Sequence, residues 1–122
     1  MITFVEMDAT TTFRDQMDDT EGSVVLINRF TVKPDEAEAL IEAWASDAAW
    51  MKRQPGFIST QLHRGITGSG TFLNYAVWES ARQLKQAFSN PEFQSKLSHY
   101  PASTIASPHL FRKLAVADIC VV

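Results

Sequence analysis

The sequence predicts an α+β domain whose elements run strand, helix, strand, strand, helix, strand. Three observations carry that reading. Residues 23–32, SVVLINRFTV, form a β-branched and aromatic run. In the next stretch Ala37, Leu40, Ile41, Trp44, Ala48 and Met51 fall on one helical stripe. Two further strand-like runs, 57–64 and 71–79, flank the Gly-rich segment GITGSG, the mark of a hairpin.

Each element has a start and a stop. Lys33-Pro34-Asp35 breaks the first strand, and the acids Asp35, Glu36 and Glu38 suit the positive end of the helix that follows. Pro55-Gly56 ends that helix. Residues 80–89 are helical, with Leu84, Ala87 and Phe88 apolar. Asn90-Pro91-Glu92 restarts the helix, because Asn caps well and Pro fits a first helical position. The Ser/Thr-rich run from Pro101 to Pro108 reads as loop and residues 109–115, HLFRKLA, as the last strand. The order β-α-β-β-α-β is the ferredoxin-like motif.

Two helices cover one face of a four-stranded sheet. The other face carries Val25, Ile27, Leu73, Tyr75 and Val77, too apolar to stay wet. The simplest cover is a second copy across a two-fold axis, so a homodimer is expected.

The 122 residues suffice for one core. A net charge of −3 gives no general pull toward nucleic acid or anionic lipid, and neither is expected as a partner. Charge is uneven: residues 1–22 hold six acids against the single base Arg14. They read as a solvated acidic arm that folds against the domain or a partner subunit, leaving 23–115 as the domain and 116–122 as a tail. The arm lacks the basic start and apolar run of a signal peptide, and no segment approaches a membrane span. The single cysteine, Cys120, excludes a disulfide framework and favours the cytoplasm. The three His are scattered and Cys120 has no paired neighbour, so no metal-ligand spacing exists.

Strand alternation sorts the side chains. Leu26, Asn28 and Phe30 share one face of the first strand, and Phe72, Asn74, Ala76 and Trp78 share one face of the third. Asn28 and Asn74 are the odd members. A buried carboxamide costs free energy unless its donors and acceptors are matched. One would be an ordinary core polar group. Two, beside Trp78, fit the polar fixtures of a ligand pocket; the alternative is that both bond neighbouring backbone and Trp78 is core packing. Asn74 and Trp78 stand ~13 Å apart along the strand, with small Ala76 between them, room for the flat face of a multi-ring molecule.

The segment Asn74–Ser80, NYAVWES, and the turn Gln54–Thr60, QPGFIST, resemble the antibiotic biosynthesis monooxygenase family of the dimeric α+β barrel superfamily. The nearest likeness is to its actinorhodin-type, cofactor-free, quinone-forming branch. The resemblance covers residues 23–115. It implies catalytic roles for Asn74, Trp78 and Asn28; the strand rows around them add Phe30, Phe72 and Ala76 as an expected substrate wall, with His63 of the second strand as a further contact. It implies no cofactor, dioxygen as co-substrate, and a small aromatic substrate. An electron-rich hydroxyaromatic such as an anthrone would lose a proton, pass an electron to dioxygen, and recombine to a quinone. The protein would exclude water and hold the oxyanion with neutral donors.

Departures from the family pattern accompany the likeness. Leu84 and Leu62 stand where that branch has tyrosines of a proton relay, and its relay arginine falls near Ser95 or Lys96. The departures keep a non-catalytic aromatic-binding accessory dimer open as an alternative. The superfamily's haem-degrading members share an Asn matching Asn28. Their Trp and His fall near Ala87 or Phe88 and near Leu97, with His99 two positions off, which ranks haem chemistry below quinone formation.

Overall fold

The computed structural model describes residues 2–121. Strand β1 (Thr3–Phe4) and helix α1 (Phe13–Gln16) precede β2 (Val24–Thr31). A 3-10 turn (Pro34–Glu36) leads into α2 (Ala37–Met51), followed by β3 (Phe57–Arg64) and β4 (Thr71–Trp78). Helices α3 (Ala81–Phe88) and α4 (Pro91–Lys96), a 3-10 turn (Leu97–His99) and β5 (Ile105–Phe111) complete the chain. The sheet runs β1-β5-β2-β4-β3. Pairings among β2 to β5 are antiparallel, and β1 joins β5 in parallel. This is the expected α+β fold with the arm's strand added at one edge.

Local signals set the boundaries. Ser80 caps α3 by accepting from the Gln83 amide, and Asn90 caps α4 by accepting from the Glu92 amide ahead of Pro91. Gly56 turns the chain out of α2 with φ +89, and the Gln83 side chain lies where a Cβ would stand, so only glycine fits there.

The last strand lies four residues earlier than the composition suggested. Residues 105–108, read as loop from their Ser and Pro, are strand, and 112–115 are not. Pro108 is tolerated because β5 has little beyond its outer edge. Ala106 O accepts from Val5 N on that side, and Leu110 N donates to Gln16 Oε1. Even-numbered residues of β5 therefore turn their backbone outward, and the missing N–H of Pro108 breaks no bond to β2.

The acidic arm folds against its own domain. Ile2, Phe13 and Met17 are buried. The Gln16 carboxamide accepts from Leu110 N and donates to Leu110 O, imitating a rung of neighbouring strand. Asp18 and Asp19 pair with Lys85 and Arg112.

Helices pack on one face only. There the core falls into two clusters, one around Trp78, Trp50, Leu84 and Phe93, the other around Phe72, Leu40, Phe30 and Tyr100. On the open face Tyr75, Ile105 and Phe111 are exposed. No helix of the described residues is long and apolar enough to cross a membrane.

Candidate active site

The two clusters do not quite meet. Between them lies a cavity of ≈ 590 Å³ including its mouth, of which water centres can occupy ≈ 70 Å³. Its wall is aromatic and aliphatic, with Phe30, Trp44, Phe57, Trp78 and Phe88 among the lining residues, and five polar side chains interrupt it: Asn28, Asp47, Thr60, Asn74 and Tyr100.

The sheet supplies the asparagines as a pair. β2 and β4 are in register with Asn28 directly opposite Asn74, so their Cβ atoms stand within about 5.5 Å. Asn74 Oδ1 accepts from the Thr60 hydroxyl at 2.5 Å. That bond turns the Asn74 amide hydrogens away from Thr60. Asn28 Oδ1 is buried with no partner among the described residues. Such an orphan costs about 1–3 kcal/mol unless a ligand or water meets it. Trp78 is 1% exposed and stands edge-on to Phe57, ring centres 5.6 Å apart.

Thr60 reaches this wall through an irregularity. From Phe57, simple alternation would put Ser59 and Gln61 toward the helices. A bulge between Phe57 and Ser59 resets the phase, so Thr60 opposes Ala76 and Leu62 opposes Asn74.

The roof contributes an acid. Asp47 is 6% exposed on α2, in the buried row Leu40, Ala43, Asp47, Trp50. Burial pushes its carboxyl up to about 6, against downward pulls from a Tyr100 hydrogen bond and the nearby Lys96 and His99. Burial, then the Asp47 charge and hydrogen bond, raise the Tyr100 phenol. Asp47 Oδ1 has no partner among the described residues. The ring of Tyr100 stacks on Phe30 at 5.8 Å.

Of the residues singled out from the sequence, Asn28, Asn74, Trp78, Phe30 and Ala76 line this one cavity. Phe72 does not. It lies one rung further along, fully buried against the second cluster, with the Arg64 guanidinium 5.3 Å over its ring. His63 is turned to the open face, because the reset alternation aims its neighbours Leu62 and Arg64 at the helices. It is exposed, with Nδ1 3.3 Å from Leu73 O. Trp44 of the helical stripe lines the cavity, whereas Trp50 is packed in the first core cluster. His99 is exposed and off the wall, a poor place for an axial haem ligand. Sequence reasoning missed Asp47, Thr60 and Tyr100. An acid on the Leu40, Ala43, Trp50 stripe was the available signal for the first. Among the described residues no group of three or more His, Cys, Asp or Glu could hold a metal ion.

Residues 23–95 match the profile of the family described as antibiotic biosynthesis monooxygenase. Deoxynogalonate monooxygenase of Streptomyces nogalater is 36% identical over 70 residues, covering 57% of this chain and 58% of that protein. The match thus spans little more than half of that relative. The crystal structure of SnoaB, a cofactor-independent oxygenase from Streptomyces nogalater, superposes with a TM-score of 0.68 at 29% identity, covering 80% of this chain and 99% of the other. A candidate monooxygenase from Shewanella loihica PV-4 gives 0.67 at 33% identity, covering 78% of this chain and 98% of the other.

Proposed function

The chain belongs to the antibiotic biosynthesis monooxygenase family, and on that footing we propose that it is a cofactor-independent monooxygenase. It oxidises a hydroxylated polycyclic aromatic of anthrone or hydroquinone type to a quinone, with dioxygen as co-substrate. The observation that carries this reading is the Asn28–Asn74 rung set in an aromatic hollow. The likeness to deoxynogalonate monooxygenase and to SnoaB supports it.

The residues suit the chemistry. Losing a proton leaves negative charge on the substrate oxygen. The Asn74 amide, fixed by Thr60, is a neutral donor for that oxygen, and a carboxamide donates at any pH. Asn28 is the second member of the same polar rung. A preorganised donor in an apolar site stabilises the anion without solvent reorganisation. Trp78, Phe30 and Phe57 offer ring faces and edges, and Ala76 leaves space beside them. The electron-rich anion is the reductant for dioxygen, so the reaction as written calls on no further redox group.

The space open to water is small beside a three-ring molecule. Trp44, Met51, Phe57 and Phe88 are the large half-buried side chains of the wall. Substrate enters by displacing them, with flexible Met51 the easiest to move. We also propose that the open sheet face, with Tyr75, Ile105 and Phe111, joins a second copy of the chain. The lone exposed Cys120 fits a reducing compartment, and the cytoplasm is the proposed location.

The test is oxygen uptake by the purified protein with a panel of anthrones and hydroquinones. The expected result is stoichiometric uptake and appearance of quinone absorbance. Background uptake across the panel would sink the reading. Tight aromatic binding without turnover would identify a non-catalytic binding protein instead, and a Soret shift with hemin a haem protein.

A further inference from the structure

We propose that Asp47 is the catalytic base of this cavity, with Tyr100 on the wall beside it, and that it takes the proton the aromatic substrate must lose before it reacts with dioxygen. The inference rests on the oxygenase reading above and adds the proton acceptor to it.

Elimination supplies the first argument. Of all side chains on the cavity wall, only Asp47 and Tyr100 are titratable. His63 lies on the other face of the sheet, and neither His99 nor His109 lines the cavity. Leu84 and Leu62 offer no proton site. A phenol held in its neutral form by burial is no base. Asp47 is thus the one group on the wall with both a lone pair and an accessible proton equilibrium.

Placement supplies the second. Asp47 lines the cavity and is 6% exposed, and its Oδ1 has no hydrogen-bond partner among the described residues. A buried carboxylate oxygen left unpartnered is costly unless a ligand or water meets it. The other charged and titratable groups acting on it are Tyr100, Lys96 of α4 and His99 of the 3-10 turn. The sheet wall contributes Asn28, Asn74 and Thr60, which do not titrate in this range. The division is therefore acid on the helix side and neutral donors on the sheet side, with the substrate between them.

For an anthrone the steps balance. The Asp47 carboxylate takes one proton from the ring CH2, leaving a carbanion whose charge lies largely on the oxygen held by Asn74. That anion gives one electron to dioxygen, and the radical pair joins in a C–O bond. The distal peroxide oxygen takes the proton from Asp47. The carboxylate then takes the second proton from carbon as the O–O bond breaks and the carbonyl forms, and the departing hydroxide leaves as water with that proton. CH2 and O2 become C=O and H2O, and the carboxylate is regenerated.

The test separates base from oxygenation by using dithranol, a dihydroxyanthrone, with and without air. Under nitrogen the wild-type protein should turn bound dithranol into its coloured anion, with a midpoint near pH 6, about where Asp47 ionises. The rate at which the anion appears should follow the ionised fraction of Asp47 and fall away below that pH. In air, Asp47→Asn should lower kcat about 100-fold or more with KM little changed. Tyr100→Phe keeps the ring stack on Phe30 but removes the polar hydroxyl beside Asp47, whose influence favours the charged carboxylate, so the acid limb of kcat should move to higher pH. Failure of the anion to form in wild type, a rate of anion formation that does not fall below pH 6, or a wild-type rate in Asp47→Asn each overturns the base assignment. Of these, only the last demonstrates that the oxygenase reading stands without it. Anion formation under nitrogen with no oxygen uptake in air would do the reverse, keeping Asp47 as base and removing the oxygenase reading. The anaerobic measurements need no variant to fold.

Discussion

Two adjacent rungs of the β2–β4 pair share one sheet face and the same helical roof, yet Phe72 of the Phe30–Phe72 rung is packed away from the hollow that both asparagines of the Asn28–Asn74 rung border. The backbone is the same regular ladder in both. Phe72 is 0% exposed between Leu40 and its neighbours, whereas the asparagines, flanked by small Ala76, leave space above them. The difference lies in side-chain volume and polarity. A fold this common is given a site where one rung gives up its packing.

The contrast can be broken from either side. Phe72→Ala should cost about 3–5 kcal/mol of stability, read as a lower urea midpoint, because it empties a filled position. An unchanged midpoint would mean that the packed rung is no more essential than its neighbour. Asn74→Ala should lower oxygen uptake with an anthrone by roughly 100- to 1000-fold, the usual cost of losing one oxyanion donor. Its stability should move by about 1 kcal/mol or less. A large loss of stability with full activity would reverse the roles of the two rungs.

Across the hollow, Asp47 makes a smaller, pH-dependent prediction. Burial pushes its folded carboxyl up to about 6, above the ordinary value of 3.8. The native state therefore binds the extra proton between these values, and stability falls as pH rises through them. Asp47→Asn should remove that loss, gaining about 1–3 kcal/mol at pH 8 and little below pH 4. Equal gains at both pH values would show that burial of the charge is not the cause. The smallest effect is expected from Thr60→Val, which frees the Asn74 amide to rotate. One net hydrogen bond corresponds to about a tenfold lower kcat at most, with the melting temperature little altered.

The rung of asparagines was legible as two faces but not as a pair. Period-two alternation placed Asn28 and Asn74 under the helices, since facing is a local property of each strand. That they oppose one another depends on a pairing between distant segments, which no local pattern encodes. Thr60 was hidden by the bulge, which inverts the alternation that the preceding residues set. Asp47 was hidden by rotation. The apolar stripe drawn through Ile41, Trp44, Ala48 and Met51 lies about one residue around the helix from the truly buried row. The last strand was misplaced because Ser and Pro argue for loop. At an outer edge Pro108 gives up no bond to β2, so that argument lost its force.

Thr3 and Phe4 find their partners at Ile105 and Ala106, so about a hundred residues of synthesis separate the two halves of that contact. The arm leaves the ribosome long before there is anything for it to dock on. On the ribosome the last strand of the sheet must emerge before the Gln16 clip can latch. Such a late contact contributes little to the folding transition state. Gln16→Ala should accordingly leave the refolding rate alone and hasten unfolding, making the arm a brake on opening rather than a guide to folding.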